Sequence, residues 1–81
     1  MNIVSDEGLS KMLDRKDHLW LVQGSPKGAV ASSLRDGLRR AHQFSAAGGN
    51  VISIRRLGGD EVKIFSLQIY RLWKQIGLAA R

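Results

Sequence analysis

The chain has 81 residues, a formal net charge of +6 and no cysteine, which leaves room for one domain and excludes disulfides, thiolate metal sites and cysteine nucleophiles. A chain this short must bury most of its apolar residues to offset ordering entropy, so few are spare for a deep ligand pocket. A hydrophobic content of 43% with two Trp argues against disorder.

Ser5 is a good N-cap for a first helix over residues 6–15. Asp6 and Glu7 suit the positive end of its dipole, and Val4 and Leu9 have the spacing of a hydrophobic staple. Residues 18–23, His18-Leu19-Trp20-Leu21-Val22-Gln23, read as a strand with two apolar faces, covered on both sides or on one side and at the rim. Gly24-Ser25-Pro26-Lys27-Gly28 is dense in turn formers. Ala29-Val30-Ala31 is either a short return strand or the start of the next helix.

A helix over residues 33–47 follows, with Ser33 and Asp36 at capping-box spacing. Leu34, Leu38, Ala41 and Ser45 line one side, with Gly37 and Phe44 beside it. Gly48-Gly49-Asn50 stops the helix. Residues 51–56 and 61–65 are expected strands, joined by a two-residue hairpin turn at Gly58-Gly59. Ile52, Ile54, Val62 and Ile64 are expected to share a face. A last helix over residues 67–76, capped by Ser66, carries Ile69, Leu72, Trp73 and Ile76 at i, i+3, i+4, i+7. Gly77 and Leu78 suit a Schellman ending. Residues 1–4 and 78–81 are expected to fray.

The order α-β-(β)-α-β-β-α predicts an α+β fold. A three- or four-stranded, mainly antiparallel sheet would carry two main helices and a short N-terminal one. Over residues 18–77 this order is similar to that of K-homology RNA-binding domains. The similarity is of element order alone, because Gly24 and Gly28 are four apart with no helix between Val22 and Pro26, and the G-x-x-G loop of that family is not formed.

The charge is uneven. Residues 1–20 hold three bases and four acids, for −1, and residues 21–81 hold ten bases and three acids, for +7. Eight of the 13 bases are Arg, the better partner for bidentate phosphate contacts. Arg35, Arg39 and Arg40 adjoin on the second helix, Arg55 and Arg56 end a strand, and Lys63 lies on its partner. If these groups converge they form a surface for nucleic acid or another polyanion. If they do not, they solvate helix and strand exteriors. Lys27 and Gly28 follow a strand where an anion-binding loop would sit, although no phosphate-loop spacing is present.

Catalysis is not expected. His18 and His42 are 24 apart with no acidic cluster near either, and no G-x-S-x-G elbow occurs. Neither a metal nor another cofactor is implied. Phe44, Phe65, Trp20 and Trp73 are expected in the core. The absence of cysteine fits a reducing cytoplasm, and Met1–Glu7 lacks the pattern of a signal peptide. The longest strongly apolar run, Leu19–Val22, is far short of a membrane span, so no integral membrane association is expected. The sequence therefore points to a non-catalytic binding module. Its alternative is a protein-interaction or homodimer-forming protein, suggested by a small core and open sheet edges.

Overall fold

The computed structural model describes residues 4–78. The expected fraying of 1–4 and 78–81 therefore falls mostly outside the described residues. The elements are α1 (Asp6–Met12), β1 (Leu19–Ser25), β2 (Ala29–Ala31), α2 (Leu34–Ala46), β3 (Asn50–Leu57), β4 (Lys63–Phe65) and α3 (Ser66–Gln75). The strands form one antiparallel sheet in the order β2-β1-β3-β4. The α+β order is as expected, and residues 29–31 are a strand.

Local chemistry accounts for most boundaries. Ser5 Oγ accepts from the Gly8 amide at 3.1 Å, and Ser33 Oγ accepts from the Asp36 amide at 3.2 Å, satisfying N–H groups that lack intrahelical partners. The Asp36 carboxylate does not complete a capping box; it pairs with Arg40 one turn on. α3 ends at Gly77 with φ +82°. The Leu78 amide donates to the Trp73 carbonyl at 2.8 Å and the Gly77 amide to that of Lys74 at 3.2 Å, the Schellman pair. α2 stops by the same two bonds from Gly48 and Gly49.

Four expectations need correction. Ser66 is the first residue of α3 rather than its cap; Phe65 holds the cap position and makes no side-chain cap bond. α1 is shorter than residues 6–15, turning out of the helix after Met12. The β3–β4 connection is wider than a two-residue turn: Arg55 faces Lys63 in register, and the Arg56 amide donates to the Val62 carbonyl at 2.9 Å. Ile52 does not share the face of Ile54 and Ile64. The pairing runs from Gln23↔Ser53 to Gly24↔Val51, so Ile52 is the extra residue of a bulge, and it is 55% exposed.

The helices lie on one side of the sheet. α2 packs on β1, β2 and β3, α3 packs on β3, β4 and α2, and α1 packs on α3. The core between the layers holds Trp20, Val22, Ala31, Ile54 and Ile64 from the sheet. Leu9, Leu34, Leu38, Ala41, Ile69 and Leu72 come from the helices. Val62 is buried from the hairpin loop. α2 lies close on the sheet at Gly37, where a Cβ would make ordinary contact with Val22, Ala31 and Ile54 at 3.6–3.7 Å. Trp73 is half-buried; its indole N–H donates to the Leu38 carbonyl at 2.8 Å, and its ring meets His42 edge-on at 5.2 Å.

α1 is tied to α3 by polar bonds. Arg71 Nε donates to Asp6 Oδ2 at 2.8 Å, and Gln68 Nε2 donates to Asp6 Oδ1 at 3.0 Å and to the Val4 carbonyl at 2.9 Å. The hydrogen bond from Arg71, then that from Gln68, holds the Asp6 carboxyl below its ordinary value. At the other end of α1, the Arg35 amide donates to the Leu13 carbonyl at 2.9 Å.

Leu38 is fully buried at the centre of the core. Leu38→Ala is expected to cost ~2–5 kcal/mol and to lower the melting temperature by roughly 8 °C or more, read by circular dichroism. Because the Asp6 carboxyl is lowered in the fold, its contribution is fully present above the unfolded carboxyl value of about 3.9 and is lost as pH falls from there through the lower value of the folded state. Thermal melts from about pH 6 down to pH 2 should show an acid-side loss of stability that is shallower in Arg71→Gln than in the parent protein.

Candidate functional site

With all three helices on one side, no described residue packs as a layer on the opposite face of the sheet. Strand alternation decides what stands on it. Trp20, Val22, Ile54 and Ile64 face the helices, so Leu19, Leu21, Gln23, Arg55, Lys63 and Phe65 face outward. The register sets Val30, Leu21, Arg55 and Lys63 in one row straight across the four strands. The next row is Gln23, Ser53 and Phe65, with Ser53 Oγ donating to Gln23 Oε1 at 2.9 Å. Leu19, Val30, Ile52 and Phe65 are each more than half exposed. Phe65, expected in the core, is 52% exposed, and Lys63 Nζ stands 5.3 Å from its ring centroid.

The basic residues singled out from the sequence do not form one patch. Arg55 and Lys63 face each other on the open side of β3 and β4. Arg56 turns to the opposite face, where it pairs in register with Trp20, and its Nη2 donates to the Asp60 carbonyl. Arg35, Arg39 and Arg40 lie on α2, in the helical layer. Two of those three are neutralised: Arg35 Nε meets Asp14 Oδ1 at 2.7 Å, and Arg40 Nε meets Asp36 Oδ2 at 3.1 Å. The hydrogen bond from Arg35 keeps the Asp14 carboxyl below its ordinary value and raises the Arg35 guanidinium in return. Arg39 is exposed and forms no salt bridge among the described residues. Lys27 and Gly28 are exposed in the loop that leads into β2, and Lys27 borders a shallow hollow with Pro26 and Phe44. A Cβ at Gly28 would stand 2.5 Å from the Val22 carbonyl, so the loop lies tight against β1.

Charge is sorted by element. Among the described residues the four strands carry three bases, Arg55, Arg56 and Lys63, and no acid. The acids stand on α1, on α2 and in loops, and Asp6, Asp14, Asp17 and Asp36 are each in an ion pair with an Arg. The open face therefore combines an apolar field with two cations, Arg55 and Lys63, that pair with no carboxylate among the described residues. The signal for Phe65 was present in its spacing: two residues after Lys63 on a strand, it must share that side chain's face.

Among the described residues no group of three His, Asp or Glu side chains could hold a metal ion, and no helix is long and apolar enough to cross a membrane. A scan against protein-family models, a search of curated proteins and a search of solved structures each return no match for this chain.

Proposed function

We propose that the protein is a non-catalytic binding module that contacts nucleic acid through the open face of its sheet. The observation that supports this most is the row Leu21–Arg55–Lys63 with Phe65 beside it on the uncovered face. A single strand presents phosphates to cations and base faces to aromatic and aliphatic side chains. An antiparallel sheet whose exposed face mixes the two suits both at once. The positive net charge of the chain would draw such a partner in.

The exposed Leu19, Val30, Ile52 and Phe65 favour a second reading, a homodimer formed through the same face. Two copies meeting there would bring Arg55 and Lys63 towards their own like charges, which disfavours self-association relative to an anionic partner.

Fluorescence anisotropy with labelled single-stranded and duplex oligonucleotides tests the first reading. Two to three phosphate contacts predict about a 7- to 20-fold loss of single-strand affinity between about 50 and 200 mM salt. The double variant Arg55→Ala/Lys63→Ala should weaken binding by about tenfold or more, and Arg39→Ala on α2 by less than about twofold. Phe65→Ala should cost about fivefold or more for single strands through lost stacking. Absence of binding at the lower salt concentration would overturn the reading, and a dimer in sedimentation at high protein concentration would favour the second.

A further inference from the structure

The inner face of the sheet carries, at its rim, a feature that the open-face reading does not use. A cleft of about 200 Å³ lies where the segment following α1 passes the start of β1 and the end of β3, lined by Met12, Arg15, Asp17, His18, Trp20 and Arg56. Trp20 is 2% exposed and Met12 is half-buried, so one wall is apolar. The other wall is cationic. Arg56 Nε is buried and has no hydrogen-bond partner, while Nη2 of the same guanidinium is fixed on the Asp60 carbonyl. No carboxylate pairs with Arg56 among the described residues. The one acid in the lining, Asp17, is engaged by Arg15 Nη2 at 2.8 Å and stands 3.9 Å from His18 Nδ1.

The hairpin backbone holds this arrangement in place. Gly59 has φ +67°, and a Cβ there would stand 2.9 Å from His18 Nε2 and 3.3 Å from Arg56 Nη2. The turn is thus packed directly on the ends of the two side chains; the dihedral calls for glycine, and a Cβ would displace His18 and Arg56 from where they stand. A buried charged donor without an acceptor is costly, and such a group in a native fold calls for an explanation. Nε itself is closed to solvent, but an oxyanion in the cleft, lying against the guanidinium edge that lines it, would offset the charge of this under-bonded group. The cavity is smaller than the roughly 300–1,000 Å³ of pockets for drug-sized molecules, so the ligand is small. Guanidinium donors fit carboxylate and phosphate oxygens.

We propose that this cleft binds a small oxyanion, a phosphate ester or a carboxylate, with Arg56 as its principal donor and Trp20 and Met12 against its carbon skeleton.

Two-dimensional NMR of the intact chain tests this. The side-chain signals of Arg56, His18 and Trp20 would be followed while inorganic phosphate, phenyl phosphate or benzoate is added at constant ionic strength. Saturable shifts confined to these residues are expected, with Trp73 and Arg39 unmoved. Saturation by the two phosphates alone identifies a phosphate ligand, and saturation by benzoate alone a carboxylate. Arg56→Lys keeps the charge but loses the guanidinium fork, and should bind at least about tenfold more weakly. Gly59→Ala, which crowds His18 and Arg56, should weaken binding independently. Arg55→Ala, on the opposite face, should leave it unchanged, so the outcome is separable from that of the oligonucleotide experiment. Shifts in the parent protein that fail to saturate with all three anions, or that appear equally at Arg39, overturn the proposal.

Discussion

The one-sided covering of the sheet is the constraint on which the other features rest. Val22 and Ile54, paired in register and fully buried, are the floor on which α2 sits. Once Leu34, Leu38 and Ala41 are buried on that floor, and Ile69 and Leu72 beside them, the apolar stripes of both long helices are spent. No further element among the described residues covers the outer face. Strand alternation then exposes Leu19, Leu21, Val30 and Phe65 as a direct result of burying Trp20, Val22, Ala31 and Ile64.

Electrostatics follows the same division of layers. Carboxylates gather where helices begin and where loops join them, and there they tie elements together: Asp6 to Arg71 across α1 and α3, Asp14 to Arg35 across the turn into α2. These exposed pairs contribute little stability each, but they consume Arg35, Arg40 and Arg71 and leave Arg39 as the unpaired arginine of the described helical layer. The sheet keeps its cations. Successive residues Arg55 and Arg56 point to opposite faces, so one dipeptide supplies a charge to the open surface and another to the cleft at the rim.

Much of the fold was legible in the sequence because its signals are local. Ser5, Ser33 and Gly77 act within five residues of where they stand, through side-chain caps and the Schellman bonds. The apolar spacing of α2 reappears as a buried face at Leu34, Leu38 and Ala41, and that of α3 at Ile69 and Leu72, whereas Ser45 is exposed and Trp73 and Ile76 are half-buried. What escaped depends on partners far along the chain. Arg35 and Asp14 are 21 residues apart, and Arg71 and Asp6 are 65 apart, so nothing in their neighbourhoods marks those arginines as neutralised. Ile52 leaves the face that simple alternation predicts because one bulge reverses the alternation, and a bulge is a property of two strands together. For Phe65 the aromatic ring suggests a core residue, and that composition signal outweighs its spacing from Lys63, which alone places it on the outer face.

The two edge strands have a further consequence. β2 and β4 span three residues each, against seven and eight for the central β1 and β3. An edge of that length offers few free backbone groups for another chain to extend, and β4 begins with a lysine, a side chain that discourages such pairing. The uncovered apolar surface is thus framed by borders unsuited to fibre growth. A partner for this sheet has to lie across its strands, not add to their row, and the protein can expose that surface with little risk of polymerising through it.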